Sequence, residues 1–185
     1  MKKLISLILA LALGLAMFPA FAEETEAETV NPEVLEWEPV AAQLVEAGIQ
    51  GGYYTLNGNV IFWVPEYLAP ADVDTNYEET DALAVFSTEG REKGFIIYLY
   101  EMQAESLDQF AVVAEVYGGQ EGRRLLINGL EAYSYMDGSF QCVAFLAGGG
   151  KILSFDFFPG TDESFARDIM AIAASIRPYD PQQEE

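Results

Sequence analysis

The chain of 185 residues has no histidine, one cysteine, and nine lysines and arginines against 30 aspartates and glutamates. Without an imidazole there is no Ser/His or Cys/His couple, and no zinc site built on histidine nitrogens. Most common hydrolase mechanisms are thereby excluded. A carboxylate pair or a Ser/Lys dyad stays formally open, but no motif supports either. One cysteine cannot form an intramolecular disulfide. Cys142 lies in the apolar, strand-like run SFQCVAFLA and reads as a buried, inert thiol rather than a nucleophile. The scarcity of cations gives a formal net charge of −21, which repels nucleic acid and anionic membrane surfaces.

What is present begins with MKKLISLILALALGLAMFPAFA, a basic start, an apolar run over Leu4–Phe18 and small residues at Ala20 and Ala22. This is the layout of a secretory signal peptide over 1–22, cut after Ala22. The alternative is an uncleaved membrane anchor. The small-residue site and the polar EETEAET that follows favour cleavage, and no cysteine near the cut offers a lipid anchor. Removing these 22 residues takes away two lysines and no acid, so the charge falls from −21 to −23. The expected product is soluble and extracellular, outside a bacterial cytoplasmic membrane, with no span left. An acidic disordered leader (23–31), one globular domain (32–178) and a disordered acidic tail (179–185) complete the expected organisation.

Within the domain, EWEPVAAQLVEAG predicts a helix over Glu38–Ala47, stopped by Gly48. GGYYTL and VIFWVP form a hairpin turned at Asn57 and Gly58. EYLAPADVDTNYEET follows as a long connection without a clear period. ALAVFS and GFIIYLYEM are strands, and ESLDQFAVVAEVYGG is a helix capped by Ser106 with Phe110, Val113 and Tyr117 inward. RRLLIN, LEAYSYMD, SFQCVAFLA and KILSFDFF, parted by Asn128 with Gly129, Asp137 with Gly138 and Gly148–Gly150, spell an antiparallel meander. DESFARDIMAIAASIRP closes as a helix with Phe165, Ile169 and Ile172 on one face. The strands carry apolar groups on both faces, so both faces are expected to be covered. The fold class is α+β, a three-layer α/β/α sandwich with a mainly antiparallel sheet.

This order of elements is similar to the Mog/PsbP-like fold. GGYYTLNGNVIFWVPEYL, with its hairpin ending at a proline, resembles that group, as does NGLEAYSYMD leading through SFQCVAFLAGGGKILSFDFF to the final DESFARDIMAIAASIRP helix. The resemblance covers about 50–178 and implies a binding or assembly factor rather than an enzyme. It transfers no functional residue, and a metal site using histidine could not be inherited.

Three places invite chemistry. DVDTNYEETD sets Asp72, Asp74 and Asn76 at alternate positions and adds Glu78, Glu79 and Asp81, like the opening of a calcium loop. The pattern then fails: Tyr77 stands where a glycine allows the sharp turn, and Leu83 where a bidentate glutamate belongs. A solvated acidic loop is the plainer reading, and calcium the one cofactor worth testing. Among the aromatics, Trp63 and Tyr67 flank Pro65 beside the long connection and are expected to be the most exposed and useful to a partner. Most others read as strand packing. Arg123 and Arg124 form a cationic pair that either grips an acidic partner or relieves repulsion among acids such as Glu115 and Glu121. Neither GGYY nor AGGGK is a phosphate cradle. The expected function is a non-catalytic secreted domain that binds a protein, peptide or cell-envelope component. The alternative is a calcium-dependent protein or enzyme using the acidic loop.

Overall fold

The computed structural model describes residues 31–73 and 82–180. The expected signal peptide, nearly all of the leader, the last five residues of the tail, and Asp74, Asn76, Glu78, Glu79 and Asp81 lie outside the described residues. Among the described residues eleven strands and three helices follow one another. They are β1 (Glu33–Leu35), α1 (Trp37–Glu46), β2 (Gly51–Leu56), β3 (Val60–Pro65), β4 (Ala69–Ala71), β5 (Ala82–Ser87) and β6 (Gly94–Glu101). After these come α2 (Leu107–Val116), β7 (Gln120–Ile127), β8 (Leu130–Asp137), β9 (Phe140–Gly148), β10 (Lys151–Phe158), α3 (Glu163–Ser175) and β11 (Arg177–Pro178).

The meander forms where its turn chemistry placed it. Asn128 and Gly129 both take positive φ, 48° and 81°, the geometry that matches a two-residue hairpin turn to the strand twist. The main sheet runs β1-β7-β8-β9-β10-β6-β5-β4 and is antiparallel apart from the short β1/β7 edge pair. The α+β class with a mostly antiparallel sheet therefore holds. The β2/β3 hairpin does not extend that sheet. With β11 it makes a second sheet, β11-β3-β2, that stacks on the first. Phe62 of β3 explains why. It meets Phe86, Phe95 and Phe155 of the main sheet edge-on at 5.7, 6.0 and 5.4 Å, so the hairpin buries a face by lying over the sheet rather than beside it.

Helix α3, capped by Asp162, buries Phe165, Ile169 and Ile172 in that same core. Helix α1 lies behind, where Leu44 packs with Trp63 and Ala171. On the opposite face of the main sheet α2 seats Leu107, Phe110 and Ala114 against Tyr133, Ala144 and Ile152. The Ser106 cap accepts from the Gln109 amide as expected. The expected inward set of Phe110, Val113 and Tyr117 needs correction: Tyr117 is 82% exposed. The cap starts the helix at Leu107, so the buried stripe is 107, 110 and 114, and the chain leaves the helix before Tyr117 can turn inward.

The long connection after Pro65 is more ordered than its sequence suggests. Leu68 is fully buried in the main core, and β4 pairs Ala69–Ala71 with β5. Asn128 does more than turn a hairpin. Its carboxamide oxygen accepts from the Trp37 amide at 3.0 Å, and its nitrogen donates to the carbonyls of Ala174 and Ile176 at 2.7 and 2.9 Å. One side chain thus ties the start of α1 to the end of α3.

Candidate functional site

At one end of the stacked sheets the layers part and leave an open apolar groove of about 610 Å³. Its floor is a row of cross-strand neighbours: Leu99 of β6 faces Leu153 of β10, which faces Phe145 of β9. The second sheet supplies the opposite wall through the paired Leu56 and Val60 and through Ile176 and Pro178. The β2/β3 hairpin turns at Asn57–Asn59, and around this turn Leu56, Leu99 and Leu130 are only partly buried. A β-bulge contributes one accessible wall: Ala82 pairs with Tyr98 and Ala84 with Ile97, which leaves Leu83 unpaired and 37% exposed. The polar rim consists of Asn57, Asn59, Glu131 and Lys151, and Lys151 bonds Glu101 at 2.8 Å. That bond holds the Glu101 carboxyl below the usual carboxylate range. A concave, mostly apolar surface with few polar groups is what an apolar ligand or side chain needs.

The expected partner residues lie elsewhere. Trp63 is not exposed, which corrects the sequence reading: it is 6% exposed and packs on Trp37 at 5.9 Å. Strand β3 is the middle strand of its sheet and is covered on both faces, so its tryptophan has no surface to offer. Tyr67 is 47% exposed, and its hydroxyl donates to the carboxylate of Asp168. Asp168, on α3, is 3% exposed and also accepts from Arg167 at 3.1 Å. Burial and the Asp168 bond push the Tyr67 phenol up. Arg123 reaches Glu33 of β1 at 3.2 Å and lines a separate, polar hollow of about 690 Å³. Arg124 pairs with Asp108 at the start of α2. The two arginines bind acids, but Glu33 and Asp108 rather than Glu115 and Glu121, and they tie edge elements to the sheet. None of Trp63, Tyr67, Arg123 and Arg124 lines the groove.

Of the expected calcium ligands only Asp72 is described. It is exposed, and its backbone carbonyl accepts from Arg91 at 3.3 Å. Among the described residues no cluster of three aspartates, glutamates, histidines or cysteines is arranged to hold a metal ion.

A buried polar cluster was not legible in the sequence. Asp156 of β10 sits opposite Cys142 of β9, which sits opposite Tyr135 of β8, on the α2 face of the sheet. Ser154 donates to Asp156 at 2.5 Å and Tyr100 at 3.4 Å. Burial pushes the Asp156 carboxyl up to about 6, against the hydrogen bonds from Ser154, Cys142 and Tyr100 that favour its charge. The same burial pushes the Cys142 thiol and the Tyr100 and Tyr135 phenols up. The thiol therefore stays protonated and is no nucleophile.

No helix among the described residues is long and apolar enough to cross a membrane. No family model matches the sequence, and no curated protein matches it. Among solved structures the chain is similar to cyanobacterial PsbP (CyanoP) from Synechocystis sp. PCC 6803, at 16% identity and a TM-score of 0.44. That match covers 71% of this chain and 92% of the other. A likeness at this level lends this chain no residue role and no partner.

Proposed function

We propose that the chain is a non-catalytic binding or assembly domain that acts outside the cytoplasmic membrane and seats apolar groups of a protein, peptide or envelope component in the groove below the β2/β3 turn. One observation carries this reading: an open, leucine-walled groove of about 610 Å³ on a protein whose net charge is otherwise so strongly negative. Apolar surface of this kind on a soluble domain marks an interaction site. Chemistry has little to work with, since histidine is absent and the one thiol is buried and neutral. The signal-like first 22 residues support an exterior location.

The test uses Nile red, an uncharged dye that brightens in apolar surroundings. Saturable binding is expected, and a loss of at least tenfold in affinity on Leu83→Asp, with the melting temperature held. Equal binding by Val112→Asp, on the outer side of α2, completes the comparison. Dye binding indifferent to Leu83 would remove the groove from consideration.

A further inference from the structure

The two sheets have four edges, and three are blunted. Strand β1 has three residues, β4 has three with Pro70 at its centre, and β11 has two and includes Pro178. Strand β2 is different: six residues, GGYYTL, without a charge or a proline, and exposed along most of its length. Natural sheets protect their edges with short strands, prolines, bulges or charges, because an unprotected edge recruits another strand. Among the described residues no strand pairs with β2 on its outer side.

The register shows which backbone groups face outward. Trp63 stands opposite Tyr53, yet its amide donates to Ser175 Oγ at 2.7 Å, away from β2. The Tyr53/Trp63 pair is therefore one of the non-hydrogen-bonded pairs of the hairpin. Pro65, which has no amide hydrogen, stands opposite Gly51 in the same phase, and in the opposite phase the Glu66 amide bonds the Gln50 carbonyl at 2.9 Å. Antiparallel pairing alternates, so Gly51, Tyr53 and Thr55 turn both N–H and C=O away from β3. Donors and acceptors repeating every second residue along a strand are matched by another extended backbone. Leu56, the last residue of β2, is also a wall of the groove.

We infer that β2 is a strand-addition site for an extended, basic polypeptide segment with apolar side chains at alternate positions. Its backbone joins the Gly51, Tyr53 and Thr55 edge, and its apolar face continues that of Tyr54 and Leu56 toward the groove. This rests on the binding-domain reading above. Charge selects the occupant: with a formal net charge of −21 the chain attracts a basic segment and repels a second copy of itself.

The experiment is an amide NMR titration of the protein with acetyl-KVTVKVTVK-amide. In an antiparallel addition, valines facing the core fall opposite Tyr54 and Leu56, so the amides that reach β2 belong to the threonines and lysines between them. The expected result is saturable shifts at Gly51, Tyr53 and Thr55, kept when the valine amides are N-methylated and lost at least tenfold when the intervening amides are. Thr55→Pro removes an outward donor while leaving every hairpin bond, and is expected to weaken binding at least tenfold with the Tyr54 and Leu56 amides still protected from hydrogen exchange by their bonds to β3. Equal binding of both methylated peptides, no binding at millimolar peptide, or full binding by Thr55→Pro overturns the inference. So does a dimer in sedimentation that Thr55→Pro dissolves, which would make the occupant a second copy. Peptide binding abolished by Leu83→Asp but untouched by Thr55→Pro would retain the groove and reject the edge.

Discussion

Replacing Asp156 with asparagine is expected to stabilise the protein at pH 7 relative to pH 4. The carboxyl is 9% exposed, and burial lifts it from 3.8 in the unfolded chain to about 6 in the fold. A group raised on folding contributes stability that is fully present below the unfolded value and lost as pH rises through the folded one. Two units at 1.36 kcal/mol each make that loss about 3 kcal/mol by pH 7. In a domain of this size it corresponds to roughly 6–12 °C in melting temperature. Asparagine has no proton to lose, so the variant escapes the loss. It keeps one acceptor and gains an amide group, a change that costs about 1–3 kcal/mol if a partner is left unsatisfied, but that cost does not vary with pH. The diagnostic is therefore the change in the stability difference between the two proteins, not its value at one pH. Tyr100, Tyr135 and Cys142 stay neutral across this range because burial raises them all, while the nearby Asp137 charge pushes Asp156 the same way as burial. Urea unfolding of both proteins at pH 4, 5, 6 and 7 measures the difference, expected to move by about 2 kcal/mol in favour of the variant over this range, since pH 4 already lies just above the unfolded value and a part of the loss precedes it. A difference constant across these four conditions would refute the burial argument, and one that moved the opposite way would show that the hydrogen bonds outweigh desolvation.

Asn128→Ala removes three hydrogen bonds between elements and is expected to cost about 2–4 kcal/mol in urea unfolding. Asn128→Gly, which keeps the positive φ of 48°, is expected to cost nearly as much, because the bonds and not the turn carry the effect. Tyr67→Phe deprives Asp168 of one donor and is expected to destabilise by about 1–2 kcal/mol without altering Nile red binding, since Tyr67 is outside the groove. Millimolar calcium is expected to leave the thermal melt unchanged. A rise reversed by a chelator would instead assign ligand roles to Asp72, Asp74, Asn76 and Glu78.

Elements with strong local chemistry were readable in the linear chain. Asn128 with Gly129, the glycines at 138 and 148–150, and the caps Ser106 and Asp162 act over four residues or fewer, and the meander and helices α2 and α3 follow from them. The short strands β1, β4 and β11 carry no such signal. They exist because β7, β5 and β3 offer ladders to pair with. Trp63 illustrates the limit from the other side. An aromatic residue next to Pro65 and a long connection reads as surface, and it is buried because α1 and α3 meet over that strand.

The groove is the extreme case. Its lining runs from Leu56 to Pro178, and its apolar residues, mostly leucines with Val60, Phe145, Ile176 and Pro178, are ordinary by local pattern. No window of the chain holds two of its sides.

The absence of histidine, the excess of acids, the single cysteine and the turn residues are properties of covalent sequence, and they alone excluded histidine-dependent hydrolase chemistry and dictated a meander. Where the hairpin lies, which edge stays unprotected and where leucines remain half exposed depend on how two sheets of unequal length stack. That geometry is decided by side-chain volumes meeting across the core, chiefly Phe62 against Phe86, Phe95 and Phe155, and it comes into being only when distant parts of the chain are packed together.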